Sequence, residues 1–571
     1  MRVRGSGRAR AAAARARLPD ASRLRAAGRR GQQVLLLAGA VGVAVGLAVA
    51  GFEWLTAQVL LERVLSLPPA AAAAAPAAGL VLAAAALRWL GRRASPATTD
   101  EYIVNFHDPG RPLARRPVPA RLAAAVASLG LGSSLGYEGP VLYLGAALGS
   151  SARSWLPRRL ARLLPASERK ILLVAGAAAG VAAIFKAPVT GLVFALEVPY
   201  REDLARHTLL PAAIAAASSY VTFAAFAGTA PLLPIAGQPP FDLVDLGGAA
   251  LVGLAAGLLA RLFVAVVVAA KRLGRSGRPW ARAGAAGATL GGLFLVGRGL
   301  TGTNLTLGPG YDALRWALDP GRDAWLIVAL ATLRVAATAA SLAGGAVGGL
   351  FIPLVLQGAL VGRLASAAVG PANPTLFPVV GIAAYLGAGY RVPLAAVVFV
   401  AEFTGRPGFV VPGLIAAVVA QLVMGRASVE AHQRKARLGQ LERRLRLPLA
   451  GAVVPVPTVG PAAAVAGLGA DLARRGGPAA VAVVDGSRFL GLVTAAAVAA
   501  SPPGATAASA LRADLPVARP DWTRAEAVRA MAASGAEVLA VCDGGRLVGV
   551  VAAADLVPLA AVVELAEGDD G

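Results

Sequence analysis

Glu138 is the residue on which chemistry is expected. It stands in Gly132-Ser133-Ser134-Leu135-Gly136-Tyr137-Glu138-Gly139-Pro140, a lone carboxylate among glycines and a proline, and no charge follows from Val141 to Ala152. An ionisable group set between long apolar runs is costly, so it marks a functional position. Gly136 and Gly139 let the backbone bend and approach closely. Pro140 suits the first turn of a helix, where its missing N–H costs nothing. Glu138 is therefore expected at a helix N-terminus, where free N–H groups favour an anion, either its own carboxylate or a bound ion.

A second set of charges recurs at a fixed spacing. Phe185-Lys186-Ala187-Pro188 leads to Glu197, and Tyr390-Arg391-Val392-Pro393 leads to Glu402; the offset is 402 − 197 = 205. Upstream of each copy lies a glycine-rich break ending in proline, 136–140 in the first and Gly348-Gly349-Leu350-Phe351-Ile352-Pro353 in the second. Paired hydrophobic segments interrupted by Gly and Pro point to a transport site built from half-helix N-termini near a bilayer midplane. Lys186 and Arg391 read either as pore-side cations or as structural partners of helix C-termini or of Glu197 and Glu402. The structural reading is preferred, and Glu197 and Glu402 are themselves read as structural.

The elements that must carry these residues are membrane helices. Of the 571 residues 57% are hydrophobic and only 15% charged, with a mean hydropathy of +0.66; a soluble chain would carry about a quarter charged residues. Apolar runs approach the length of about 20 residues that crosses a bilayer. Spans are expected at Val34–Ala50, Ala70–Leu90, Leu209–Phe226, Leu246–Ala270, Ala283–Leu300, Ala324–Leu342 and Val410–Met424, with Val141–Ala152 a shorter, half-crossing helix and Leu172–Glu197 broken at Lys186 and Pro188. Glu53 is read as an interfacial charge at the end of the first span. Arg298 is placed to reach the interface, while Arg261 and Arg334 are expected to face protein or to mark a displaced span end.

The net charge of +24 is carried largely outside the apolar runs, from Arg2 to Arg30 before the first and from Arg434 to Arg446 after the last. The positive-inside rule then puts both termini in the cytoplasm, in an integral protein of the plasma (inner) membrane. Topology accounts for the charge, so nucleic acid is not an expected partner. Cys542 stands alone, which excludes an intrachain disulfide, and His107, His207 and His432 are scattered, so no metal site is indicated. No nucleophile–base set suggests an enzyme.

Beyond residue 447 the chain changes character. Val484-Asp485-Gly486-Ser487-Arg488-Phe489-Leu490 and Cys542-Asp543-Gly544-Gly545-Arg546-Leu547-Val548 each place an Asp-Gly turn between two short apolar strands, at an offset of 543 − 485 = 58. Two α/β units of about sixty residues form a soluble domain of ordinary size.

These motifs together resemble the CLC family of chloride channels and chloride/proton exchangers, followed by a tandem CBS pair. The resemblance implies an all-α polytopic membrane domain of two inverted repeats and a small α/β tail. The expected organisation is a basic tail (1–32), the CLC-like domain (33–430), a linker (431–446) and the CBS pair with a short acidic tail (447–571). By resemblance Glu138 is the gating carboxylate of the Gly-x-Glu-Gly-Pro motif, whose usual arginine is here Tyr137. The Gly349-Leu350-Phe351-Ile352-Pro353 motif supplies anion-binding amides at Leu350 and Phe351, with Gly349 and Gly139 beside them and Gly136, Pro140, Gly348 and Pro353 shaping the backbone. Helix N-termini suit a halide because they offer partial positive charge without a tightly holding cation. The family assembles as a homodimer in the bilayer with a pore in each subunit.

Three positions depart from the family pattern. The serine motif that holds the central anion is replaced by residues around Ala97-Thr98-Thr99-Asp100-Glu101, leaving Thr98 or Thr99 to supply a hydroxyl. The inner tyrosine is expected near Ser428-Val429-Glu430, where none occurs. The inner proton-accepting glutamate is Val198, which cannot relay a proton. Val198 favours passive, channel-type chloride flow gated by Glu138 through voltage or pH. The alternatives are chloride/proton exchange by a non-standard proton path, fluoride or nitrate transport, and a membrane-anchored CBS regulator. In the CBS pair the nucleotide-binding Ser/Thr-x-x-Asp element is incomplete in both copies (Thr494-Ala495-Ala496-Ala497 and Ala552-Ala553-Ala554-Asp555). Asp555 is the sole candidate ligand for an adenine nucleotide, and dimerisation or gating modulation is the preferred role.

Overall fold

The structure is a computed structural model and describes residues 21–108, 113, 116–155, 168–235, 241–275, 277–370, 373–436, 445–468 and 480–556. The first part of the expected basic tail, Arg158, Arg159 and Arg162 ahead of the run at Leu172, Arg437, Arg443 and Arg444 of the linker, and the acidic C-terminus lie outside them. The chain divides into two compact units, Met1–Ala436 and Arg437–Gly571.

The first unit is helical. Its elements are α1 (Ala21–Glu53), α2 (Pro69–Ala85), α3 (Thr99–His107), α4 (Pro117–Gly130), α5 (Glu138–Ser151), α6 (Glu168–Phe185), α7 (Pro188–Glu197) and α8 (Leu209–Ala227). Then follow α9 (Leu243–Leu273), α10 (Pro279–Thr301), α11 (Tyr311–Leu318), α12 (Ala324–Gly344), α13 (Phe351–Val369), α14 (Leu376–Tyr390), α15 (Pro393–Thr404) and α16 (Val410–Met424). Among the described residues eight helices are long and apolar enough to cross a membrane. Large apolar side chains such as Leu251, Leu262, Phe226 and Leu422 lie on their outer faces, as lipid requires. Polar backbone is satisfied within the helices, the condition for crossing hydrocarbon.

The helix ends differ from expectation in one instructive place. The first helix does not stop at Glu53 but continues through a π-helical stretch, Trp54–Leu61, to Ser66, so Glu53 faces a cavity rather than marking a span end. Arg334 is buried in α12 and donates to the carbonyls of Thr306 (2.9 Å), Gly308 (3.1 Å) and Pro309 (2.8 Å). Those carbonyls belong to a non-helical stretch whose acceptors need a donor. Arg261 is exposed on α9.

The repeat seen in the sequence is a repeat of packing. A methyl group on Gly145 would strike the Gly176 carbonyl and one on Gly149 the Leu172 carbonyl; likewise Gly358 meets Gly381 and Gly362 meets Phe377. Glycine thus lets α5 lie backbone-to-backbone on α6, and α13 on α14. The pairs correspond at offsets of 358 − 145 = 213 and 381 − 176 = 205. Lys186 (φ 51°) and Arg391 (φ 59°), also 205 apart, are two of the four described non-glycine residues with positive φ. Each makes the sharp turn from one helix into the next, and a proline opens that next helix.

The second unit holds two three-stranded sheets. In the first, β1 (Thr458–Val459) runs parallel to β2 (Ala480–Asp485), which pairs antiparallel with β3 (Arg488–Thr494). A short helix, α17 (Ala495–Ala499), follows. The second sheet repeats the order with β4 (Val517–Ala518), β5 (Val538–Asp543) and β6 (Arg546–Ala552), with α18 (Arg524–Ser534) before β5 and α19 (Ala553–Leu556) after β6. Positive φ at Gly486, and at Gly544 and Gly545, turns the two hairpins where the Asp-Gly signals fall. Cys542 is a buried free thiol on β5.

Candidate anion and proton site

The two glycine-rich breaks meet. Gly136 N–H donates to the Gly349 carbonyl at 2.9 Å and Gly349 N–H returns the bond at 2.8 Å, an antiparallel bridge. The chain therefore runs in opposite directions through the two breaks, and α5 and α13 start from one point. A methyl on either glycine would strike the Glu138 carboxylate, and one on Gly349 would also stand 2.7 Å from the backbone nitrogen of Gly139. Glu138, at the first position of α5, is buried, and its Oε1 accepts a short hydrogen bond from the amide of Phe351, the first residue of α13. One carboxylate thus occupies the amide that the sequence assigns to an anion. Its other oxygen, Oε2, has no hydrogen-bond partner.

The neighbouring amide is covered too. Leu350 N–H donates to the hydroxyl of Tyr390 at 3.2 Å. A phenol accepting in this way keeps its own O–H to donate to an anion. Phe351 is enclosed by Phe185, Phe194, Phe399 and Tyr390, at ring-centroid distances of 4.5, 5.4, 4.8 and 6.3 Å. These four are two repeat pairs, since 390 − 185 = 205 and 399 − 194 = 205. Only Tyr390 among them carries a hydroxyl. Sequence reasoning looked for a tyrosine near residue 428 and missed it. The usable signal was that Tyr390 replaces Phe185 at equivalent positions of the basic-Pro motif.

Thr98 is the threonine that reaches the site. Its Oγ1 is buried without a partner, and a methyl on Gly139 would stand 2.7 Å from it and 3.1 Å from the Gly348 carbonyl. Gly348 packs against Leu135 and Leu129. Gly349 supports the site through its bridge rather than offering a free amide. Pro140 and Pro353 both sit in first helical turns, as expected.

The charges of the two basic-Pro motifs bind backbone groups. Glu402 accepts from the amides of Val189 (3.0 Å) and Thr190 (2.7 Å) and from the Thr190 hydroxyl (2.6 Å). Glu197 accepts from the amides of Leu394 (3.2 Å) and Ala395 (2.9 Å). Lys186 donates to Ala227 O at the end of α8 (2.6 Å), and Arg391 to Gly425 O just past α16. Val198 is buried at the end of α7, and its carbonyl accepts from Gln433 at 2.9 Å.

Cavities lie near both faces of this arrangement. One, of about 420 Å³, is lined by Tyr137, Glu53, Glu62, Lys186, Asp312 and Arg315. Another, of about 90 Å³, is lined by Thr98, Asp100, Lys271, Gly349, Leu350 and Glu430, and has room for water. Among the described residues no group of His, Cys, Asp and Glu could hold a metal ion.

The voltage gated chloride channel profile matches residues 78–425, a span that includes both breaks and Glu138. The chain belongs to the CLC family. A CBS domain profile matches residues 507–561. A ClcB-like chloride channel protein of Ralstonia nicotianae is 29% identical over 73% of this chain and 99% of its own length. The H(+)/Cl(-) exchange transporter ClcA of Salmonella paratyphi B is 26% identical over 68% of this chain and 85% of its own. The fold is that of a slow cyanobacterial Cl-/H+ antiporter, with a TM-score of 0.61 at 21% identity over 68% of this chain and 94% of that one. CLC membership points to transport rather than enzymatic catalysis, and makes this an integral membrane protein.

The passive, channel-type reading drawn from Val198 does not stand. The ClcA relative, matched across most of the CLC domain, is an exchange transporter. The physical reason is that Val198 removes one proton acceptor from one helix end, while other buried carboxyls line the cavity beneath Leu350. In the CBS unit the Thr494 hydroxyl accepts from Ala497 N–H at 3.3 Å, capping α17, and Asp555 is exposed on α19.

Proposed function

We propose that this protein exchanges chloride for protons across a membrane, with Glu138 as the group both ions act on. The observation that carries the reading is the Glu138 carboxylate on the Phe351 amide. As an anion it is held by the N-terminus of α13 and excludes chloride. Protonated, it is neutral, loses that attraction and yields the amide. Chloride then takes the Phe351 and Leu350 N–H groups, with the hydroxyls of Tyr390 and Thr98 completing its shell. Occupancy of Glu138 by a proton and of the amides by an anion are thereby thermodynamically coupled. The exchange activity of the ClcA relative supports the same reading.

Flux from reconstituted liposomes tests it. A chloride gradient drives protons uphill if the reading holds; chloride movement with no proton movement sinks it. We also propose a homodimer, cytoplasmic placement of both termini and residence in the plasma (inner) membrane, supported by the family resemblance and the arginine distribution. Crosslinking in native membranes and protease access to the two ends check them. For the C-terminal unit we propose a modulating role, with Asp555 as the residue to test for adenine-nucleotide binding.

A further inference from the structure

The cavity beneath Leu350 contains a charged cluster that neither the anion site nor helix capping uses. Lys271 Nζ, near the end of α9, stands 3.5 Å from Asp100 Oδ2 on α3 and 3.6 Å from Glu430 Oε2, in the segment after α16. It also donates to the Val429 carbonyl at 2.8 Å. Lys271 thus brings the Asp100 and Glu430 carboxyls to one ammonium. Both are buried, at 6% and 4% exposure. Two buried carboxyls facing one ammonium compete for its charge, which favours a proton on one of them.

The cluster links solvent to the anion site. Asp100 Oδ1 accepts from Ala431 N–H at 3.1 Å and meets Nδ1 of His432 at 3.1 Å, and the His432 side chain is 49% exposed. Glu430 Oε2 has no hydrogen-bond partner, and Glu430 lines the cavity with Thr98, whose hydroxyl is also unpartnered. Arg275 lines the same cavity, as does Leu350, whose amide meets the Tyr390 hydroxyl at 3.2 Å.

We propose that the Asp100–Glu430 carboxyl pair is the inner proton port of this protein, taking the place of the acceptor that Val198 lacks. A proton arrives from solvent by way of His432 and enters the pair. The pair releases a proton to water in the cavity, and that water, with the Thr98 hydroxyl as a relay, protonates the Glu138 carboxylate. The pair then regains its proton from solvent, so protons balance with no other reactant. This assignment rests on the exchange reading above. An ion cluster that only fastened the 426–435 segment would leave the ratio of protons to chloride unchanged.

The test reconstitutes the full chain and records chloride and proton movement together. Glu430→Gln and Asp100→Asn should each lower the protons moved per chloride by roughly tenfold or more, the effect of losing a positioned acid–base group. Glu430→Asp should keep most of the coupling. His432→Ala, at a half-exposed position, should slow proton movement and serves if the buried variants do not assemble. If the unaltered protein moves no protons, the exchange reading falls and the port with it. If the unaltered protein couples and the variants that reconstitute keep its ratio, the port is overturned while exchange stands.

Discussion

Glu197 and Glu402 cap each other's helices. Glu197 ends α7 and binds the first amides of α15; Glu402, near the end of α15, binds the first amides of α7. The partners obey the repeat offset throughout, since 394 − 189, 395 − 190 and 402 − 197 are all 205. Each carboxylate fills the donor-rich end of the other helix, where an anion is favoured and backbone N–H groups need acceptors. The exchange fastens the two repeats together around the aromatic cage that holds Phe351.

Removing either cap should therefore loosen both repeats. Glu402→Ala or Glu197→Ala should cost about 2 kcal/mol, in the range of lost N-caps and charge-assisted hydrogen bonds. Thermal unfolding in detergent measures it. The double variant should cost less than the sum, because each helix belongs to both caps.

Neutralising the gate should remove its response to acid. Protonation frees the Phe351 amide, so chloride flux in the unaltered protein should rise as pH falls. Glu138→Gln mimics the neutral form at every pH. Its flux should be independent of pH and uncoupled from protons. Chloride flux at a series of pH values reads this directly.

The hydroxyls of Tyr390 and Thr98 should matter to anion affinity. Hydrogen bonds to a charged group contribute about 1.5–3 kcal/mol, so Tyr390→Phe should weaken chloride binding roughly ten- to hundredfold. Thr98→Val should act in the same direction while keeping side-chain volume. Calorimetric titration with chloride distinguishes these from Thr99→Val, which should change little.

Gly349→Ala should disrupt the site by crowding. The added methyl would strike the Glu138 carboxylate and approach Gly139 N to 2.7 Å. Loss of the Gly136–Gly349 bridge and a lowered unfolding temperature are expected. An unchanged melting point with normal chloride flux would show that the breaks do not meet as described.

In the C-terminal unit, Glu526 completes a capping box with Thr523 at the start of α18. Hydrogen bonds from the Thr523 amide and then its hydroxyl hold the Glu526 carboxyl below its ordinary value. A depressed folded-state value gives stability that is present above the unfolded value of 4.5 and lost as pH falls through the folded one. Hydrogen exchange over 524–534, corrected for its intrinsic pH dependence, should show α18 opening more readily in acid. Thr523→Ala removes the hydroxyl but keeps the amide, so it should reduce that pH dependence without abolishing it.

Much of this was readable from residue order. The break-Pro and basic-Pro motifs announced helix starts, since proline and glycine punctuate the backbone locally. The span Val410–Met424 coincides with the helix found. The end of the first helix was misplaced at Glu53 because a charge in an apolar run looks like an interface. The π-helical continuation instead turns that charge toward a cavity.

The sequence by itself determined the membrane class, the twofold repeat and the paired hairpins of the C-terminal unit, and it singled out Glu138 as the candidate gate. All of these are local signals of periodicity, composition and spacing. Only the tertiary structure decided which groups gather at the site. Tyr390 reaches Leu350 across 40 residues, Glu138 reaches Phe351 across 213, and Asp100 meets Ala431 across 331. Chain order carries no record of such distances. They are set when glycine-lined helices close on one another and bring two helix N-termini to a single point.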